Sequence, residues 1–306
     1  MDHSFRDLKL IAAGHGIIKA DSALFSITRE YFKSAHISPN QQKIAVISQI
    51  SDRDFNSGGI KISIFNLKTQ ERIWKHDLGH GDSSRFSRVI WDTDNSRILV
   101  YNLPGKPRIF DSLSGIEVQN SLNISPCVFV LDGKKLSNLF YFSLCSENTE
   151  VTLISKTNFS ILWRGSFNNA DSQMKKLSDR QLNDIFDNKS PDSRFSIEFG
   201  NRFLKISDLS KRNQSWHITS HWSVSGIIWS ENSKLIAVGG DDYFFNGFDG
   251  ETVYPIKNML LLKWDGNKFL KRRLHTYGED PTTVGFIDKS QKLVALTDTS
   301  IIIWKL

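Results

Sequence analysis

The chain has little cysteine and no long apolar run. Cys127 and Cys145 are the only cysteines among its 306 residues, and they form neither a CxxC spacing nor a pattern with paired histidines. Two such thiols predict a reducing compartment, without a disulfide framework or a zinc site. The first apolar run is interrupted by Arg6, Asp7 and Lys9, and no run is long enough for a signal-peptide core or a membrane span. We therefore expect an intracellular, cytoplasmic protein, or a nuclear one if the source is eukaryotic.

Familiar catalytic and cofactor motifs are absent as well. The sequence has no GxSxG nucleophile elbow, no GxxxxGK[ST] phosphate loop, no HExxH zinc motif and no EF-hand loop. Its aspartate-rich segments, 92–95 and 187–192, read most simply as polar turns between strands. These absences favour a non-catalytic protein without a metal or a cofactor.

Positive and negative charges are nearly balanced and interspersed. The chain has 39 Lys and Arg residues against 33 Asp and Glu, which gives a net charge of +6. Its densest basic run, 268–273, falls where we expect an outer edge strand, and charges there discourage pairing between edges. Nucleic-acid binding needs a contiguous basic stripe, whereas the basic residues here are interspersed with acidic ones. Nucleic-acid binding is therefore only an alternative, with these residues as candidates: Lys175, Lys176, Lys271, Arg272 and Arg273.

What the sequence does contain is a repeated pattern of short apolar runs separated by polar turns. The clearest unit reads SGIIWSENSKLIAVGGDD over Ser225–Asp242 and continues as LLLKWDGNK over Leu260–Lys268, with Trp264 and Asp265 adjacent. Runs of this length, rich in β-branched residues, predict strands, and the turn clusters between them predict hairpins. The unit therefore predicts a small antiparallel meander.

The same order recurs about every 45 residues, which gives six units from residue 31 onward. One unit combines Lys33–Ser48 with Ile60–Trp74, and another combines Phe86–Asn102 with Pro107–Gly115. Two weaker units occupy 125–158 and 184–210. Repeats of this period, built from four short strands, are typical of a β-propeller.

The final unit resembles the WD40 repeat. It reads PTTVGFIDKSQKLVALTDTSIIIWKL over 281–306, and in that family a histidine, a Ser or Thr, a turn aspartate and a strand tryptophan form a hydrogen-bonded chain. The matching positions here are His275, Thr297, Asp298 and Trp304. The resemblance also implies structural roles for Trp264, Asp265 and His80. Two other units depart from it, because Gly59 and Pro104 stand where the turn carboxylate would be.

The resemblance implies one all-β domain over residues 1–306. We expect a β-propeller of four-stranded antiparallel blades, with six blades favoured and seven as the alternative. The last unit stops after its third strand at Leu306, so we expect the N-terminus to supply the fourth strand and close the ring, with Leu8–Ala12 as that strand. Residues 1–30 would form this strand and the connection to the first blade. The apolar runs within 14–31 predict either a connecting strand or part of a seventh blade.

Long loops fall mostly where a second strand turns into a third, or where one blade leads to the next. Arg53 and Phe55 lie in one of these loops, and Lys175 and Lys176 lie in another. The insertion at 241–257, in the fifth unit, brings in five aromatic residues: Tyr243, Phe244, Phe245, Phe248 and Tyr254. Such residues are typical of protein-binding anchors. Rings folded back over the central channel, an extra small hairpin or a small-ligand site would also explain them.

We therefore expect a scaffold or adaptor that binds a protein or peptide partner through its long loops and assembles a multiprotein complex. The loop residues just named are its predicted binding site, with no cofactor, no metal and no membrane partner. Two alternatives stay open. One is a nucleic-acid-associated subunit, and the other is a propeller enzyme that acts on a small molecule at the central channel.

Overall fold

The computed structural model describes most of the chain as β-strands joined by turns. The described residues are 16–19, 29–51, 57–80, 88–101, 107–118, 128–131, 140–145, 150–155, 157, 159, 161–166, 189–200, 202–211, 214–242, 256–276, 282–297 and 299–306. No helix occurs among these residues, so they contain no helix long and apolar enough to cross a membrane. β-branched and aromatic side chains, which suit a pleated surface, account for this uniform content.

The strands follow one another at short intervals. In chain order they are β1 (Gly16–Lys19), β2 (Arg29–Ile37), β3 (Lys43–Ser51), β4 (Ser57–Asn66), β5 (Arg72–His80), β6 (Arg88–Trp91), β7 (Arg97–Tyr101), β8 (Arg108–Asp111), β9 (Val128–Leu131), β10 (Phe140–Cys145), β11 (Glu150–Ser155), β12 (Ile161–Ser166), β13 (Phe195–Gly200), β14 (Arg202–Asp208), β15 (Ser215–Trp229), β16 (Leu235–Asp242), β17 (Ile256–Trp264), β18 (Phe269–His275), β19 (Thr282–Ile287), β20 (Lys292–Leu296) and β21 (Ser300–Lys305).

The chain divides into two compact units. The unit formed by residues 20–187 holds three antiparallel meanders. They are blade 1 (β2–β5), blade 2 (β6–β8) and blade 3 (β9–β12). Blade 2 has three strands, and an isolated bridge between Phe110 and Glu117 begins a fourth.

The unit formed by residues 1–19 and 188–306 holds the other three blades. Blades 4 and 5 form one six-stranded sheet because they share β15. The first part of β15 pairs with β14 and is the fourth strand of blade 4, whose first strand is marked by an isolated bridge between Lys189 and Ser196 of β13. The part of β15 from Trp222 onward pairs with β16 and belongs to blade 5, with β17 and β18. Blade 6 comprises β19–β21 and β1. The six sequence units thus correspond to six blades in the described residues, two of which share one sheet, and the predicted all-β fold is confirmed.

An N-terminal strand completes blade 6, but it is not the segment that we predicted. β1 pairs with β21, with Ile17 opposite Ile302 and Ile18 opposite Ile301. The prediction of Leu8–Ala12 for this position was wrong, and that segment lies outside the described residues. The pairing covers the whole of β1, from Gly16 opposite Ile303 to Lys19 opposite Ser300.

The turn between first and second strands repeats from blade to blade. In blades 1, 4 and 5 a serine hydroxyl donates to the Asn or Asp two residues later and accepts from the backbone N–H five residues later. The residue after that Asn or Asp has a positive φ of 58–59°. Such Asx and Ser turns position the second strand at the start of each hairpin. The three turns are Ser38–Lys43, Ser190–Phe195 and Ser230–Leu235.

The turn between third and fourth strands also repeats. An Asn or Asp that ends the third strand accepts hydrogen bonds through Oδ1 from backbone N–H groups two or three residues later. This gives a local reason for the Trp-Asp pair in the sequence, since the acidic residue caps the turn. The four capping residues are Asn66, Asp111, Asp208 and Asp265.

Apolar faces of neighbouring blades pack together within each unit. Buried side chains join blade 1 to blade 2, blade 2 to blade 3, blade 4 to blade 5 and blade 5 to blade 6. Because each sheet contributes only one layer to each of these clusters, no blade could bury its faces alone.

Candidate interaction surface

The aromatic insertion of the fifth unit leaves from β16 and returns in β17. Pairing between these strands continues to their ends, with Asp241 opposite Lys257 and Asp242 opposite Ile256. The paired ends of β16 and β17 therefore define where segment 243–255 begins and ends. The aromatic residues predicted to bind a partner lie on that segment, outside the described residues: Tyr243, Phe244, Phe245, Phe248 and Tyr254.

The other predicted binding residues also lie outside the described residues. Arg53 and Phe55 fall between β3 and β4, whose last pair is Ser51 with Ser57. Lys175 and Lys176 fall between β12 and β13. The strand order therefore places these segments in the two predicted loop classes, a turn from second to third strand and a link between blades.

Two exposed aromatic side chains at the tip of the β13–β14 hairpin were missed by sequence analysis. Phe199 is 44% exposed and Phe203 is 42% exposed. Phe199 pairs with Leu204, and Gly200 pairs with Phe203, so the two rings lie on opposite faces of the hairpin. The surrounding residues alternate like ordinary strands, and the one available signal was a phenylalanine on each side of a Gly-Asn turn.

β15 joins this hairpin tip to the base of the insertion. Trp222 pairs with Arg202 on one side and with Asp242 on the other. Adjacent strands lie about 4.8 Å apart, so the backbones of Arg202 and Asp242 are about two strand spacings apart. We name these strand ends of the six-stranded sheet the insertion end; it comprises Phe199, Gly200, Arg202, Phe203, Trp222, Asp242 and Ile256.

The apolar face that β13 packs against blade 5 continues to the insertion end. Alternation along β13 places Phe195, Ile197 and Phe199 on one face. Phe195 and Ile197 are buried in the cluster that joins the two blades, whereas Phe199 is exposed. Phe199 thus extends a buried apolar face beyond the point where the neighbouring blade covers it.

An ion pair between Arg194 and Asp208 lies in blade 4, at the end of this interface away from the insertion end. The Arg194 guanidinium donates to Asp208 Oδ2 from Nε (3.2 Å) and from Nη2 (2.9 Å), and it lies 5.2 Å from the Trp264 ring centroid of blade 5. Burial alone would raise the pKa of Asp208, but hydrogen bonds from Arg194 and Ser210 outweigh it and lower the pKa to about 2. Asp208 is therefore ionised at neutral pH, and it holds the Arg194 guanidinium of blade 4 against the Trp264 ring of blade 5.

Of the residues that the WD40 resemblance singled out, Trp264 and Asp265 have well-defined places. Trp264 packs in the aromatic cluster between blades 4 and 5, with its ring centroid 5.0 Å from that of Phe195. Asp265 Oδ1 accepts hydrogen bonds of 2.8 Å from the backbone N–H groups of Asn267 and Lys268. These bonds lower the pKa of Asp265.

Thr297 and Trp304 do not bond to each other. Thr297 Oγ1 accepts from the Ser300 N–H at 2.9 Å and donates to the Ser300 carbonyl at 3.1 Å. Trp304 is buried between blades 5 and 6, and its Nε1 has no hydrogen-bond acceptor in the part of the chain that the structure describes. Asp298 lies outside that part, while His275 ends β18 and His80 ends β5. The indole bond that the resemblance implies is therefore not made within the described residues.

The basic run 268–273 forms the edge strand β18, as expected, but not a single basic stripe. Lys271 lies opposite Leu262 and Arg272 opposite Leu261, so their side chains leave on opposite faces. The Lys271 ammonium donates to the carbonyl of Ile218 at 2.6 Å. One charge of the run thus has a structural bond.

Within the described ranges, no three His, Cys, Asp or Glu side chains come together in a way that could hold a metal ion.

No family model matches the chain, and no curated protein matches it. Solved structures with a similar fold include Kuenenia stuttgartiensis hydrazine synthase, at 11% identity and a TM-score of 0.42, over 86% of this chain and 73% of that one. A second is KlHsv2 with loop 6CD replaced by a Gly-Ser linker, at 11% identity and a TM-score of 0.34, over 90% of this chain and 78% of that one. At these values neither similarity bears on what the chain does.

Proposed function

We propose that the chain is a non-catalytic scaffold that binds a protein or peptide partner at the insertion end. The observation that carries this proposal is the exposure of Phe199 and Phe203 at the insertion end, where the aromatic insertion also leaves the sheet. Aromatic side chains give large contact areas at low entropic cost and are enriched at binding hot spots. Phe199 and Phe203 lie outside the buried cluster that joins blades 4 and 5, so packing between these blades does not account for them.

The scaffold would act by presenting a preformed surface. The shared strand β15 and the buried apolar cluster between them hold blades 4 and 5 together, so little order has to be gained there on binding. Phe199 and Phe203 would enter apolar recesses of the partner, and the aromatic insertion would extend the contact. For the unit formed by residues 20–187, the predicted partner contacts stay Arg53, Phe55, Lys175 and Lys176.

The test compares affinity purifications by variants matched in fold. One variant is Phe199→Ser with Phe203→Ser, and a second changes Tyr243, Phe244 and Phe245 to Ala. The control is Leu270→Ser, because Leu270 lies on an edge strand of the same sheet and is 40% exposed. Each bait is used with and without nuclease, and its melting temperature is checked against that of the wild type.

We expect one stoichiometric protein partner that the wild type and the Leu270→Ser control both retain and that the two aromatic variants lose. Its recovery should not depend on nuclease. A partner that both aromatic variants retain would show that the insertion end is not the binding surface. Recovery that nuclease abolishes would instead favour the nucleic-acid alternative.

A further inference from the structure

A histidine and an arginine meet where blades 1 and 2 pack together. His76 of β5 lies opposite Ile62, and Arg108 of β8 lies opposite Val100. Both of these partners belong to the buried apolar cluster between the two blades. Arg108 Nη2 lies 3.2 Å from His76 Nε2, and Arg108 Nη1 donates to the Leu78 carbonyl at 3.4 Å. We name His76 and Arg108, which are both half-buried, the polar joint.

The interface between blades 4 and 5 serves as an internal comparison for the position of His76. Trp74 and Trp216 hold equivalent places, because each lies opposite an isoleucine of the third strand and packs against the cluster between its two blades. Two residues after Trp74 stands His76, and two residues after Trp216 stands Ile218. The blade 4 residue that corresponds to the histidine is therefore aliphatic.

The position of Arg108 is aliphatic in the same comparison. Arg108 lies opposite Val100 and Leu260 lies opposite Val238, and each valine is the fourth residue of the second strand of its blade. Leu260 and Ile218 are both buried in the cluster that joins blades 4 and 5. Because aliphatic side chains serve that interface, packing between blades does not require the polar joint.

The contact within the polar joint fixes the charge of His76. A guanidinium can only donate, so His76 Nε2 accepts, and the imidazole is neutral with its hydrogen on Nδ1. A protonated imidazole has a donor at both nitrogens, so it cannot make this bond and faces the guanidinium as a second cation. Histidine is the side chain that ordinarily changes its charge between pH 5 and pH 8. Acid in that range therefore removes the bond.

One other charged group lies at the polar joint among the described residues. The Glu117 carboxylate accepts from the same Arg108 Nη2. The neighbours of His76 from blade 1 are apolar on this face, while the charged residues on either side of it along β5 alternate to the other face: Ile62, Trp74 and Leu78 on this face, Lys75 and Asp77 on the other. When the imidazole is protonated, Glu117 keeps the guanidinium in blade 2.

We propose that the polar joint is a proton-operated connection between blades 1 and 2, closed while His76 is neutral and open once it is protonated. Opening separates β5 from β8, while the apolar cluster still holds the rest of the two blades together. The interface between blades 4 and 5, with Ile218 and Leu260 in these places, does not respond. The device does not depend on whether the insertion end binds a partner.

The first test is a ¹⁵N NMR spectrum of the whole chain, labelled at the histidine ring nitrogens and recorded at pH 8, where histidines are ordinarily neutral. The signals of His76 are those that His76→Gln removes. We expect Nδ1 to carry the hydrogen. A ring that carries it on Nε2 would overturn the proposal, because that nitrogen could not accept from Arg108.

The second test measures hydrogen exchange of β5 and β15 from pH 8 to pH 5, the range in which histidines titrate. Each rate is divided by that of the same peptide unfolded, so that the chemical pH dependence cancels. His76→Gln keeps an acceptor for Arg108 but takes up no proton, and His217→Gln is the matched control because His217 is exposed on β15. His76→Ile with Arg108→Leu copies the other interface and replaces His76→Gln if the latter melts at a lower temperature.

We expect acid to lower the protection of β5 about tenfold, as loss of a hydrogen bond to a charged group implies, in the wild type and in His217→Gln. Protection of β5 should stay constant in His76→Gln and in the variant that copies blades 4 and 5, and protection of β15 should stay constant in the wild type. Constant protection of β5 in the wild type would overturn the proposal, and it would mean that Glu117 holds the protonated ring in place. An equal loss in His76→Gln would overturn it as well, because another group would then be responsible.

Discussion

The backbone N–H of Asp192 in blade 4 donates to the hydroxyl of Ser233 in blade 5 at 3.0 Å. The same positions are linked in the other unit, where the Asn40 N–H of blade 1 donates to Asn95 Oδ1 of blade 2 at 2.9 Å. Consecutive blades are therefore joined at their first turns by a backbone donor and a polar side chain, and not by apolar packing alone.

Removing this link should cost stability. Ser233 is buried, so Ser233→Ala would leave the Asp192 N–H without its acceptor, and we expect a loss of about 1–2 kcal/mol. Urea unfolding would measure it. Ser114→Ala is the control because it removes an exposed hydroxyl bond within one turn, and an equal loss in both variants would contradict a special role for the link between blades.

A second prediction concerns Gly115 and Gly266. Both have a positive φ, 71° and 104°, so alanine strains the backbone at either position. Only at Gly115 would the new Cβ also collide with the Trp74 ring, whereas nothing lies within 4 Å at Gly266. We expect Gly115→Ala to lower the free energy of unfolding by at least about 1 kcal/mol more than Gly266→Ala. Equal melting temperatures for the two variants would disprove the close contact.

Acid should weaken the Arg194–Asp208 pair of blade 4, which holds Arg194 against Trp264 of blade 5. The pKa of Asp208 falls from an ordinary 3.8 to about 2 in the folded chain, so its contribution is complete above about pH 4. It is lost as the pH falls toward 2, because the unfolded chain takes up that proton first, and it amounts to at most about 2 kcal/mol. Unfolding of Asp208→Asn between pH 2 and pH 5 should show a shallower pH dependence than that of the wild type, and an equal dependence would mean that this carboxylate does not stabilise the fold.

The position of β1 leads to a pair of truncations with different outcomes. Deleting residues 1–15 keeps β1, whereas deleting residues 1–19 removes it and exposes the edge of β21. We expect the longer deletion to lower the melting temperature by several degrees more than the shorter one and to promote aggregation through the open edge. Calorimetry and light scattering would show both effects, and indistinguishable truncations would mean that β1 does not stabilise blade 6.

The repeat pattern predicted the blades well because it reflects a local requirement. Each unit needs apolar strands and a polar cap, and residues such as Trp264 and Asp265 satisfy both at one hairpin. The closing strand was harder, since Leu8–Ala12 and Gly16–Lys19 are both short apolar runs and only the pairing with Ile301 and Ile302 distinguishes them. Long-range register of this kind leaves no local trace in the sequence.

The candidate surfaces show the same limit more sharply. Phe199 follows the alternation of Phe195 and Ile197, so sequence alone predicts that it is buried like them. Its exposure depends on where the neighbouring blade ends. Leu113 and Ile116 are likewise exposed, in the turn that follows β8. Their apolar character stands out only by comparison with Lys68 and Glu71, which hold the same positions in the corresponding turn of blade 1.

β15 has a consequence for how this chain can be rearranged by duplication or recombination. Its 15 residues form the fourth strand of blade 4 and the first strand of blade 5 without an intervening loop. A break between those two repeats would cut a continuous strand and disrupt both, whereas a break in a loop would leave whole repeats. Blades 4 and 5 should therefore be inherited, exchanged and grafted as a pair, and a chimera that divides them should fail to fold where one that keeps them together succeeds.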